Sequence, residues 1–129
     1  MVVGMSSAIL QGVPATTLDT DLWLDLPERQ YMRPINLGLS LGATMVRNTV
    51  IALRDGSLAN FIFRVDGLAS FATEWRRAKS ITFRNLPIKV LPLERIIKSK
   101  EYLQRPKDLV HLHLLREILA SRRIAGFRD

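Results

Sequence analysis

The chain has 129 residues, 47% of them hydrophobic and 24% charged, with a formal net charge of +7 and no cysteine. That length suits one domain, residues 1–129, around a modest core. Disulfides and thiolate metal sites are excluded, and the absence of any run of about 18 apolar residues excludes a spanning helix, so no membrane partner is expected.

Val2 and Val3 read as the end of a buried strand. Gly4 then allows a sharp turn and a close approach by a ligand. Ser6 or Ser7 can cap the helix that follows, where free N–H groups favour an anion. Ala8, Ile9 and Leu10 continue this helix, and Gly12 and Pro14 stop it.

Residues 18–24 alternate as a strand does. Asp19 and Asp21 therefore share a face, with roughly 7 Å between their Cα atoms at about 3.3 Å of rise per residue. Leu18, Thr20, Leu22 and Leu24 take the other face. Two neighbouring carboxylates repel unless a positive charge lies between them. A hard divalent cation such as Mg²⁺ or Mn²⁺ fits, because it takes oxygen ligands and keeps water and phosphate oxygens besides. A strand end with two solvated aspartates is the plainer alternative. Trp23 lies in phase with the pair and either walls the site or packs in the core.

Leu26-Pro27-Glu28-Arg29 opens a helix. Pro34 kinks or splits it, and a helix from about 35 to 41 stops at Gly42. Two strands follow, 49–53 and 59–66, joined by the Asp55-Gly56 turn. No strand is expected between Gly42 and Thr49. Residues 68–78 form an amphipathic helix with Leu68, Phe71, Ala72 and Trp75 on one face. Strands 80–84 and 88–91 make a hairpin around Asn85-Leu86-Pro87. A helix runs from Leu93 to about Leu103 and another from 107 to 121. His111 and His113, two apart on that last helix, point to different faces and read as surface or packing residues.

Charge is uneven. Residues 1–74 hold five Lys or Arg against seven Asp or Glu, and residues 75–129 hold fourteen against five. The basic half could face nucleic acid, nucleotide phosphates or an acidic protein, or simply be solvated helix faces. Aromatic residues there are few, which does not support a stacking platform for single-stranded RNA.

Gly4 to Leu24 resembles the signature of the nucleotidyltransferase superfamily, in particular its minimal bacterial members and the abortive-infection toxins of that type. Gly4, Gly12, Pro14, Thr17, Asp19 and Asp21 stand in register with the family pattern. Met5, Gln11 and Ala15 stand where the family has a second glycine, a histidine and an arginine. Val65-Asp66-Gly67 is similar to the family's third carboxylate, carried on a strand beside the Asp-X-Asp strand. Lys100, Arg105, Lys107 and Asp108 match its C-terminal Lys and Arg-X-Lys-Asp pattern, with His111 where many members have a second Asp.

The resemblance implies an α/β (α+β) fold with a mixed, mainly antiparallel sheet and helices packed mainly on one side. It implies transfer of a nucleoside monophosphate from an NTP to an acceptor hydroxyl on tRNA, a protein or a small molecule, with a toxin–antitoxin pairing as one setting. Asp19, Asp21 and Asp66 would hold Mg²⁺ or Mn²⁺, and Asp66 would assist the nucleophile. Gly4 and Ser6 would cradle phosphates, and Lys100 would neutralise them. In the family a helix and most of a strand precede the glycine turn, so the abrupt start here predicts exposed apolar surface and a possible homodimer. With no signal-peptide layout at Met1, a cytoplasmic location is expected by default. The departures at Met5, Gln11 and Ala15 motivate a second expectation: a degenerate module of this type that binds nucleotide, nucleic acid or a protein partner without turnover.

Overall fold

Alternation along the chain's aspartate strand sets the two faces of the sheet. The computed structural model describes residues 1–126. Within them β1 (Val2–Val3), α1 (Gly4–Leu10) and β2 (Asp19–Trp23) come first. After a 3₁₀ turn at Glu28–Gln30 come α2 (Met32–Ser40), β3 (Thr44–Arg47), β4 (Val50–Ala52) and β5 (Leu58–Ile62). The second half holds α3 (Phe71–Arg77), β6 (Lys79–Phe83), β7 (Leu86–Val90), α4 (Leu93–Leu103) and α5 (Pro106–Ile124).

The strands form one seven-stranded sheet in the order β3-β4-β5-β2-β1-β7-β6. It is mixed and mainly antiparallel, with parallel pairing confined to β2 with β5 and β1 with β7. The fold class is α+β, as the sequence implied.

Trp23 of β2 and Val3 of β1 lie in the main core with Met5 and Ala8 of α1, Ile96 of α4 and Leu115 of α5. Phe71 of α3 packs its ring edge-on to Trp23, with centroids 5.4 Å apart. The opposite face of β2 carries Leu22, which packs with Ile35 of α2, Ile51 of β4 and Phe61 of β5. Four helices thus share one side of the sheet and α2 covers the other. Trp23, 2% exposed, is a core residue.

Several boundaries move. Pro34 falls in the first turn of α2, where its missing N–H costs nothing, so the expected helix splits into the 3₁₀ turn and α2. Ser70 caps α3 by accepting from the Thr73 N–H at 3.3 Å, so that helix starts later than residue 68. The β6–β7 turn is Arg84-Asn85, both with positive φ, and Pro87 lies within β7 opposite Thr82. β3 was not anticipated. It is an edge strand, exposed along its whole length, and so lacks the buried alternate residues that mark a strand.

Glu74 is fully buried on α3. It accepts from Arg95 Nε at 2.9 Å and Nη2 at 2.7 Å and from the Ala69 N–H at 2.9 Å. This bidentate pair fastens α3 to α4.

Candidate functional site

β1 turns directly into α1 at Gly4, whose φ is +63°. A Cβ there would stand 2.8 Å from Asp21 Oδ2, so glycine is required both by the backbone and by the carboxylate beside it. The same turn ties itself to β2. Ser6 Oγ donates to the Val3 carbonyl at 2.8 Å and accepts from the Asp21 N–H at 3.1 Å. Ser6 therefore lies inside α1 and caps nothing. Its hydroxyl is committed to the backbone, it is 6% exposed, and it stands outside the cleft that the other candidates line. Ser7, also inside the helix, donates instead to the Leu91 carbonyl at 2.7 Å.

That cleft has a volume of about 470 Å³. Gly4, Asp19, Asp21, Asp66 and Lys100 all line it. The sheet wall is acidic. Asp21 pairs in register with Asn60 across the parallel β2–β5 ladder. Asn60 Nδ2 donates to Asp21 Oδ1 at 3.2 Å, and its own Oδ1 accepts from Thr49 Oγ1 at 3.0 Å. Burial pushes the Asp21 carboxyl above its ordinary pKa; the Asn60 hydrogen bond opposes this, the Asp19 charge adds to it, and Lys107 and Lys100 draw it back.

Asp66 occupies a different place from the one expected. β5 ends at Ile62, so Asp66 lies beyond the strand, in a turn held to α4. Ser99 Oγ donates to the Asp66 carbonyl at 3.1 Å. Gly67, with φ +83°, lies against Tyr102, where a Cβ would meet the tyrosine Cβ at 2.5 Å. The Asp66 carboxylate faces Arg64 Nε at 3.3 Å. The position on the strand beside Asp21 is taken by Asn60. Among the described residues, no three His, Cys, Asp or Glu side chains are grouped to hold an ion, so Asp66 does not complete a three-carboxylate cluster with Asp19 and Asp21.

The helical wall is basic. Asp108 of α5 is fully buried and gathers its cations around itself. Arg105 donates to it from Nε at 2.6 Å, from Nη2 at 3.1 Å and from its backbone N–H at 3.1 Å, closing a capping box at the start of α5. Lys100 Nζ donates to Asp108 Oδ1 at 3.2 Å and to His111 Nδ1 at 3.2 Å. Burial raises the Asp108 pKa, but the Arg105 and Lys100 hydrogen bonds outweigh it and hold the carboxyl at about 2. Burial lowers the Lys100 pKa against the pull of Asp108.

The sequence grouped Gly4, Ser6, Asp19, Asp21, Asp66 and Lys100 into a site; all of these but Ser6 meet in one cleft. Asn60, Arg47 and Arg64 were missed. Asn60 is visible only once the β2–β5 register is known, and Arg47 reaches the cleft from the unanticipated β3. His111 lines the cleft and bonds Lys100, which corrects its reading as a surface or packing residue. His113 does face solvent, 3.3 Å from Glu117.

Asp19 and Asp21 offer oxygen donors on one face, and the raised Asp21 pKa marks carboxylate charge that a cation would relieve. A hard divalent ion that takes one or two carboxylates and fills its shell with water and phosphate oxygens fits this donor set. No protein-family model, curated protein or solved structure matches the chain. No described helix is long and apolar enough to cross a membrane.

Proposed function

We propose that the chain transfers a nucleoside monophosphate from an NTP to an acceptor hydroxyl, using Mg²⁺ or Mn²⁺ held by Asp19 and Asp21. One observation carries the reading. The Asp19–Asp21 wall and the Lys100–Arg105–Lys107 wall line the same cleft, so carboxylates and cations converge on a volume of about 470 Å³. A ligand with a metal-chelating, polyanionic segment satisfies both walls at once.

In the reaction the acceptor oxygen forms a bond to the α-phosphorus, the bond to the β-phosphate bridge breaks, and pyrophosphate leaves. Asp19 and Asp21 would hold the divalent cation, which would supply charge neutralisation at the reacting phosphate. Lys100 and Lys107 neutralise the departing pyrophosphate from the opposite wall. Gly4 lets the chain pass close beside the Asp21 carboxylate, and Ser6 positions that aspartate through its backbone rather than touching phosphate. Asp66, on the wall held by Ser99, is the group proposed to take the acceptor proton. The acceptor is proposed to be tRNA, a protein side chain or a small hydroxyl compound.

Asn60 favours a second reading, in which the module binds nucleotide without turnover. It puts a neutral carboxamide on the strand beside Asp21, where a third carboxylate would strengthen metal binding. The two readings are separated with α-³²P-labelled ATP, CTP, GTP and UTP, Mn²⁺ or Mg²⁺, bulk tRNA and a cell lysate. Transfer is expected from wild type and lost in the double variant Asp19→Asn/Asp21→Asn. A metal-dependent thermal shift with NTP but no transfer to any acceptor would favour the binding module.

A further inference from the structure

The α4–α5 wall holds four titratable groups in a chain of contacts, Arg105 to Asp108 to Lys100 to His111, and His111 has no role in the reaction as described. His111 sits partly buried beside Lys100 and lines the cleft. A protonated lysine can only donate, so the imidazole nitrogen facing it must accept. Lys100 Nζ lies 3.2 Å from His111 Nδ1, which makes Nδ1 the unprotonated nitrogen and places the ring proton on Nε2. The ammonium has three N–H donors. Asp108 takes one and His111 another, which leaves the third for a ligand, and Lys100 lines the cleft. His111 Nε2 has no other partner among the described residues.

We propose that His111 is a positioning residue for Lys100, and that the third Lys100 N–H and the His111 Nε2–H form a two-donor subsite for a phosphate group. This rests on the reading of the cleft as a nucleotide site and names the wall on which the triphosphate lies. The charged groups around the ring are Lys100 on α4, Arg105 ahead of α5, and Lys107 and Asp108 on α5; Asp19 and Asp21 line the sheet wall of the same cleft. Burial and then the Lys100 charge keep the imidazole pKa below its ordinary value, which favours the neutral ring that can accept from Lys100. A proton added to this ring would go to Nδ1 and displace the Lys100 donor, so the subsite uses the neutral imidazole.

The chain contains two histidines, which makes the test direct. Imidazole ¹⁵N–¹H correlation spectra of the full chain, recorded without divalent metal, report tautomer and pKa for His111, with exposed His113 as internal reference. The expected result is the Nε2–H tautomer for His111 at pH 8, and a downfield shift of its Nε2–H resonance on saturation with inorganic tripolyphosphate, with His113 much less affected. In parallel, His111→Leu is expected to weaken tripolyphosphate binding about tenfold at pH 8. His111→Gln, which can still accept and donate, is expected to restore most of that affinity. An Nδ1–H tautomer, an unmoved His111 Nε2–H resonance, or no tripolyphosphate binding at millimolar concentration would overturn the proposal. Because these measurements use neither metal nor acceptor, loss of nucleotide transfer alongside a shifted His111 would remove the enzymatic reading and leave the subsite standing.

Discussion

Asn60 and Asp21 face each other across the one parallel ladder that carries the candidate site, with the carboxamide donating to the carboxylate at 3.2 Å. A neutral partner satisfies one lone pair of Asp21 and adds no charge to the site. Converting Asn60→Asp puts a second carboxylate in register with Asp21. The metal-free variant is expected to melt below wild type, because like charges then crowd a half-buried position. Its upward shift with Mn²⁺ is expected to exceed that of wild type, as read by differential scanning fluorimetry. Equal shifts would separate this strand position from the cation site.

Asp21 also predicts an unusual pH response. Its folded pKa lies above the unfolded value, so its contribution favours the fold at low pH and is lost as pH rises through the raised value. Asp21→Asn should therefore raise the melting temperature at pH 8 in the absence of metal and change little near pH 3. Loss of metal response would accompany the gain in stability. A variant less stable than wild type at pH 8 would contradict the assigned burial and repulsion.

Asp108 has the opposite sign. Its carboxyl is held at about 2 against an ordinary 3.8, so its stabilisation is complete above the ordinary value and is lost as pH falls toward 2. The shift corresponds to about 2 kcal/mol. Asp108→Asn leaves Lys100 and Arg105 without their shared counter-charge and should cost about 3 kcal/mol at pH 7. Urea melts at pH 7 and pH 3 give the check, with the deficit shrinking at the lower pH.

Gly4→Ala forces a side chain into the left-handed region at a cost of about 1–2 kcal/mol and against Asp21 Oδ2. Nucleotide transfer should fall by far more than the stability loss explains, because the displaced group is Asp21 itself. Activity retained in a folded Gly4→Ala protein would show that the turn tolerates Asp21 elsewhere.

Glu74→Gln serves as a control remote from the cleft. It breaks the buried Glu74–Arg95 pair and should cost about 3 kcal/mol, visible as a lower urea midpoint. Tripolyphosphate binding below the melting transition should remain at the wild-type level, since neither residue lines the cleft.

Much of the cleft was readable in the residues because its chemistry follows local patterns. Alternation over 18–24 placed Asp19 and Asp21 on one face, and the helix opened by Leu93 was read with Lys100 near its end. What escaped depends on non-local partners. Asn60 becomes a neighbour of Asp21 through a pairing 39 residues apart. Asp66 read as a strand residue because Phe61 to Val65 is strongly β-forming, yet the ladder with β2 ends at Ile62. Ser6 reads as a cap because serine favours that role, whereas Gly4 already starts the helix and leaves Ser6 as its third residue. Glu74 gave no sign of burial, since its partner Arg95 lies 21 residues away.

The chain's first strand sits in the middle of the sheet rather than at an edge. Val2 pairs with Leu22 on one side and with Val90 on the other, and the Gln11 carbonyl accepts from Arg122. During synthesis residues 2–3 must wait for residue 90 before their second neighbour exists. Such long sequence separations slow folding and lengthen the time that unpaired strand edges stay open. Refolding from denaturant is therefore expected to close the β1–β7 seam late, and the two walls of the cleft, carried on either side of that seam, meet in the last step of folding.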